Sequence, residues 1–247
     1  KNEFHRLLKQ EVVTENLIIS GLRGVGKTVL LETLKPIALA KKWLWVGTDL
    51  SESASLSESN IVTRMLADLS LVTSALSVGQ IEVPQLGFQR DLVVDQTLTY
   101  EFLVDVVEGT PGLYSDKLKA ALELVATATR REGYGGVIFA YDEAQNMTDH
   151  AAKEQYPLSL MLDVFQSLQR KGIPFMIVFA GLPTLFPKLI DSRTYSERMF
   201  HILMLDRLND EDSKNAIEKP ISDSKCPVKF SEAAITEIIR ASGGYPY

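Results

Sequence analysis

Cysteine is almost absent from this chain: Cys226 is the only one in 247 residues. A single thiol excludes an internal disulfide framework and fits a reducing compartment, and no His or Asn context around it promotes it to a nucleophile. Excess positive charge is lacking too. The 26 Lys and Arg are outnumbered by 32 Asp and Glu, for a net charge of -6. No global basic field therefore advertises nucleic-acid or membrane binding, which would have to come from a local patch or from sequence outside this chain. No apolar run reaches the ~18 residues of a membrane helix, and the charged first residues carry no signal-peptide core. The expected location is the cytoplasm, with no membrane partner. Internal repeats and low-complexity tracts are missing as well. What remains, 45% hydrophobic and 23% charged residues, is ordinary for a globular protein long enough for one large α/β domain, or for a core plus a small satellite.

Short apolar runs alternate with helical patterns along most of the chain. Asn2–Glu11 reads as an amphipathic helix and Asn16–Ser20 as the first strand, with a helix-like run from Val29 to Lys42 after it. Trp43–Gly47 is a second strand, and Ser51–Ser59 is a loop capping a helix over Asn60–Leu76. Ile81-Glu82-Val83 and Leu92-Val93-Val94, around Pro84–Asp91, suggest a β-hairpin insertion within 77–97. Helices follow over Thr99–Val107 and Ser115–Arg131, then the strand Val137–Tyr141, the helix Leu158–Lys171, and the strands Ile173–Ala180 and Phe200–Leu205. Near-continuous apolar strands alternating with helices predict a parallel sheet covered on both faces. The fold class expected is thus α/β, a core of five parallel strands with helices on both faces over residues 1–205. After Asp206 only helices are expected, Asp210–Lys219 and Ser231–Ala241, a change of domain over 206–247. Both ends read as cut, so flanking domains are expected.

The chemistry centres on Gly21-Leu22-Arg23-Gly24-Val25-Gly26-Lys27-Thr28, which fits G-x-x-x-x-G-K-[ST], entered by a strand and left by a helix. A phosphate tail wrapped by backbone N–H groups needs Gly21, Gly24 and Gly26 to remove side chains and permit unusual dihedrals. The positive end of the following helix faces the same anion. Lys27 adds a point charge for the β- and γ-phosphates, and Thr28 offers its hydroxyl to Mg2+. The nucleotide-binding set is Gly21, Gly24, Val25, Gly26, Lys27, Thr28 and Val29.

A second motif is the apolar strand Val137–Tyr141 ending in Asp142-Glu143. Asp142 is the expected metal partner of Thr28, and Glu143 is placed to orient and deprotonate an attacking water. At the end of the strand Phe175–Ala180, Thr184 is either a γ-phosphate contact or a plain helix cap. Arg198, just before the last strand, either faces a triphosphate, its own or a neighbour's, or is a surface residue paired with Glu197 or Asp206. Arg193 is its backup. Gly243-Gly244-Tyr245-Pro246-Tyr247 alone reads as punctuation.

Taken together, these motifs resemble the AAA+ superfamily of P-loop ATPases, in the branch shared by initiator-type, archaeal-type and STAND signalling ATPases. The resemblance spans Asn16 to Tyr247 and rests on Gly21–Thr28, Asp142-Glu143-Ala144-Gln145, Ala180-Gly181-Leu182-Pro183, Tyr195-Ser196-Glu197-Arg198-Met199-Phe200 and Gly244-Tyr245-Pro246. It implies a Rossmann-like P-loop core, a small α-helical lid over 206–247 with a winged-helix domain after it, ATP or ADP with Mg2+, Arg198 as a charge-stabilising arginine, and Pro246 packed on the adenine. Two departures stand out. The strand ending at Ala180-Gly181 lacks the usual sensor Asn, and the stretch Gly243–Tyr247 holds no Arg for the usual second sensor. Both favour a switch over a motor. The reading is an ATP-hydrolysing switch or assembly ATPase that self-associates or meets a protein partner through flanking domains. The alternatives are a tightly nucleotide-bound scaffold with little turnover, a DNA-binding initiator using domains outside this chain and, more distantly, a small-molecule kinase.

Overall fold

The computed structural model describes residues 2–8, 13, 15–83, 92–224 and 226–246. In chain order its elements are α1 (Asn2–Leu7), β1 (Asn16–Gly21), α2 (Lys27–Ala40), β2 (Trp43–Asp49), α3 (Glu58–Thr73), β3 (Ser77–Val83) and β4 (Leu92–Thr97). There follow α4 (Tyr100–Gly109), α5 (Tyr114–Arg131), β5 (Gly136–Asp142), α6 (Pro157–Arg170), β6 (Phe175–Gly181), α7 (Leu185–Ser192), α8 (Ser196–Met199) and β7 (Phe200–Leu205). The chain closes with α9 (Asp210–Asp223) and α10 (Glu232–Ser242). Five strands form one parallel sheet in the order β2-β5-β6-β1-β7, as the continuous apolar strands predicted.

Alternation along each strand divides the core in two. Val137, Phe139 and Tyr141 of β5, with Phe175, Ile177 and Phe179 of β6, enter the core that includes buried residues of α3, α4, α5 and α6. Ile138, Ala140, Met176, Val178 and Ala180 enter the opposite core, with Phe4 and Leu7 of α1 and Leu31, Leu34 and Ala38 of α2. Successive side chains point to opposite faces. With apolar layers on both faces, a strand needs no polar position, which explains the unbroken runs.

In the stretch 77–97, β3 and β4 pair antiparallel, over more residues than the two triplets indicated. The expected loop, 84–91, lies outside the described residues, as do residues 9–11 of the first expected helix. One boundary is corrected. The helix expected to stop at Lys219 runs through Pro220 to Asp223. The proline ring suits helical φ and forfeits a single N–H bond close to the end, so the helix tolerates it. At the other end, the Asn209 side chain accepts from Asp212 N at 2.8 Å.

Asn16 opens β1 fully buried. Its Oδ1 accepts from Ile177 N and from Gln169 Nε2, both at 2.8 Å, and its Nδ2 donates to the Met199 carbonyl at 3.2 Å. One side chain thereby joins the entries of β1, β6 and β7 to α6. Asn16→Leu would strand these groups away from water. The expected cost is about 2–6 kcal/mol, from an orphaned buried donor and acceptor at about 1–3 kcal/mol each. Urea unfolding should show it; an unchanged midpoint would refute the role.

Candidate functional site

β1 lies between β6 and β7, and the chain leaves it toward α2 at the carboxyl edge of the sheet, where open α/β sheets bind ligands. Gly24 and Gly26 take φ of 80° and 88°, the left-handed region that side chains disfavour, which curls the loop over the start of α2. Gly21 is needed for a different reason: a Cβ there would stand 2.6 Å from the Leu205 carbonyl oxygen and 2.7 Å from Val25 Cγ2. Val25 is buried against the loop floor, while Val29 stands exposed on α2. Lys27 Nζ donates to the carbonyls of Gly21 at 3.0 Å and Leu22 at 2.8 Å, so its charge sits at the loop mouth.

Asp142 ends β5, two strands from β1, yet Thr28 Oγ1 donates to its Oδ2 at 2.5 Å. Its Oδ1 accepts from Glu143 N at 2.8 Å, and the side chain is buried. No cation pairs with Asp142 among the described residues. A hydroxyl and a buried carboxylate in contact, without a protein counter-ion, fit Mg2+, which takes one or two protein oxygens and completes its shell with phosphates and water. Among the described residues no cluster of three or more His, Cys, Asp or Glu could hold a metal by itself. Asp49, at the exposed end of β2, lies beside Asp142 in register.

Glu143 is in the left-handed region at φ 51° and is exposed. That conformation is unfavourable for a residue with a Cβ and turns the chain sharply out of the strand. The turn presents the Glu143 carboxylate at the sheet edge, where Gln145 Nε2 donates to its Oε2. Gln145 Oε1 in turn accepts from Leu182 N, just beyond β6, at 3.0 Å.

Other predicted residues lie elsewhere. Thr184 is exposed and makes no capping hydrogen bond to α7. Arg198 is exposed on α8, before β7, whose first residue pairs with Asn16 while Leu205 pairs with Gly21. Five residues of strand, about 17 Å at 3.3 Å each, separate it from the loop along the sheet. It stands at the amino edge and does not face its own phosphate loop. Arg193 is used structurally: it forms an ion pair with Asp163 at 2.7 Å. Burial pushes the Asp163 carboxyl up, but the Arg193 and Tyr195 hydrogen bonds outweigh it and hold the group below its ordinary value.

Pro246 is exposed, in a segment that folds back on the exit of β7. Leu208 N donates to the Gly244 carbonyl at 2.8 Å, and the Arg207 guanidinium lies 5.0 Å from the Tyr245 ring centre. Gly244, at φ 79°, permits this: a Cβ would stand 2.4 Å from the Leu208 carbonyl oxygen. Arg240, four positions before Gly244 on α10, is ion-paired with Glu237 at 2.5 Å, while Arg207 reaches the segment across the fold. Two polar residues at this edge of the sheet, Gln145 and Arg207, were given no role by the sequence. Gln145 sits inside a quoted motif but shows no periodicity, and the Arg207 contact spans 38 positions.

No family model matches the chain, and no curated protein does. Solved structures match in fold. The Walker-type ATPase paby2304 of Pyrococcus abyssi superimposes with a TM-score of 0.57 at 16% identity, covering 99% of this chain and 63% of that one. The ORC2 protein of Aeropyrum pernix in its ADP form gives 0.54 at 13% identity, covering 90% and 50%. This chain therefore spans one half to under two thirds of the length of these proteins, and it shares their α/β fold. Among the described residues no helix is long and apolar enough to cross a membrane.

Proposed function

We propose that this chain is an ATP-hydrolysing switch or assembly ATPase, in which nucleotide state moves the helical lid, α9 and α10, against the core. The observation that carries the reading is the 2.5 Å contact between Thr28 and Asp142, with Glu143 as the next residue. It joins the phosphate loop to a carboxylate pair at one edge of the sheet. Backbone N–H groups of the loop and Lys27 bind the phosphates. Thr28 and Asp142 would hold Mg2+, which supplies charge neutralisation between the phosphates. Glu143 orients a water and accepts its proton as that water attacks the γ-phosphorus, while the bond to the β–γ bridging oxygen breaks and ADP leaves with inorganic phosphate as the other product. Pro246 packs on the base. The fold likeness to a Walker-type ATPase and to a protein solved in an ADP form supports adenine nucleotide as the ligand.

Arg198, exposed and at the amino edge, serves the triphosphate of a neighbouring subunit rather than its own, so self-association belongs to this reading. DNA contact is left to domains outside this chain, because a net charge of -6 gives this core little attraction for phosphates. Cytoplasmic residence completes the reading. The test is ATP turnover with saturating Mg2+ and again after chelation. Turnover that falls to background on chelation is expected. Nucleotide binding with no turnover in either condition would instead identify a nucleotide-bound scaffold.

A further inference from the structure

Gln145 makes more contacts at this edge than a turn residue requires. Its carboxamide is held at both ends: Nε2 donates to Glu143 Oε2, and Oε1 accepts from Leu182 N at 3.0 Å. Its main chain is anchored as well, with Lys188 Nζ of α7 donating to the Gln145 carbonyl at 2.6 Å. Gly181, the last residue of β6, leaves room for the amide: a Cβ there would stand 2.8 Å from Gln145 Oε1 and 3.2 Å from Gln145 N. The next residue, Asn146, fixes the turn from the other side by donating from Nδ2 to the Leu50 carbonyl at 2.8 Å, beyond β2. The exits of β2, β5 and β6 are thereby tied through one short turn, and the Gln145 amide is the side chain of that turn that hydrogen-bonds the Glu143 carboxylate.

We propose that Gln145 is the positioning residue of the hydrolytic site, aiming the Glu143 carboxylate and coupling it to the end of β6. This rests on the hydrolytic reading above. Glu143 is exposed, so without a partner its carboxylate would sample several rotamers, and few of them point at one water. An amide suits the task, because its N–H end donates to the carboxylate while its oxygen docks on a backbone N–H. A carboxylate could keep only the docking. The end of β6, where Thr184 was either a γ-phosphate contact or a helix cap, is thus linked to the catalytic base through Gln145. Movement of the β6 exit on nucleotide binding or release would shift Glu143 directly.

Two substitutions separate positioning from plain support. Gln145→Glu has nearly the same shape and keeps the acceptor for Leu182 N, but replaces the donor to Glu143 with a repelling oxygen. Gln145→Ala removes both. For Gln145→Glu we expect kcat lower by about 30-fold or more, with KM for ATP and the affinity for a fluorescent ATP analogue within about threefold of the parent. Its thermal midpoint and the hydrogen-exchange protection of the Leu182 amide, both measured without nucleotide, should stay at parental values. Gln145→Ala should lose kcat similarly and also lose the Leu182 protection. Parental kcat in a folded Gln145→Glu protein overturns the inference while leaving the hydrolytic reading intact. An equal loss of kcat and nucleotide affinity also overturns it, since that is what a supporting residue would give. No turnover in the unsubstituted protein overturns both.

Discussion

Glu143→Gln lowers steady-state ATP turnover by about 100-fold or more, the span typical of a positioned general base, while ATP affinity stays within about threefold of the parent. The change is nearly isosteric. It leaves the left-handed turn, the Asp142 contact with Glu143 N and the loop untouched, because none of these uses the Glu143 carboxylate. What it removes is the capacity to take a proton from water. Phosphate release measured beside analogue binding checks it. Equal rates for the two proteins would mean that Glu143 is not the base, and equal rates at background would leave a scaffold.

Lys27→Ala acts on the other half of the site and should weaken triphosphate binding by about 100-fold, or ~2.8 kcal/mol at 1.4 kcal/mol per tenfold. Binding is not abolished in this account, since the loop N–H groups and the amino end of α2 still face the anion. The ammonium's contacts are with the carbonyls of Gly21 and Leu22 in its own loop, so no ion pair is broken and the thermal midpoint should hold. Isothermal titration against an ATP analogue reads the change. An affinity within a factor of three of the parent would show that the loop does not hold the phosphates in the way described.

Much of this site was legible because its chemistry is local. Glycine spacing, the lysine and the hydroxyl follow from eight consecutive residues, and the Asp-Glu pair is marked by the apolar strand before it. That Thr28 and Asp142 meet is a tertiary fact, but the rule that ligands gather at carboxyl strand ends anticipates it. The same rule bears on Arg198. A residue preceding a parallel strand enters at the amino edge, so its own triphosphate was out of reach once β7 proved parallel to β1. Arg193 could not be separated from a catalytic arginine by sequence, because its partner Asp163 lies 30 positions away on α6. The return of Tyr245 onto Arg207 depends on how α9 and α10 turn, and no periodicity encodes that. Pro220 misled for a different reason: a proline late in a helix costs one bond, not the element.

Asn16 sits at the far edge from all of this, yet it acts as the datum for the site. A strand of identical apolar residues could slide between its neighbours by one position, which shifts it about 3.3 Å and turns every side chain to the opposite face. β1 offers little else to resist that, being Leu17-Ile18-Ile19 in sequence and apolar on both sides. The side-chain bonds of Asn16 to Ile177, Gln169 and Met199 accept only one alignment. They therefore fix how far the strand projects, and with it the distance at which Thr28 meets Asp142. An amide buried where no nucleotide reaches is what gauges the phosphate loop.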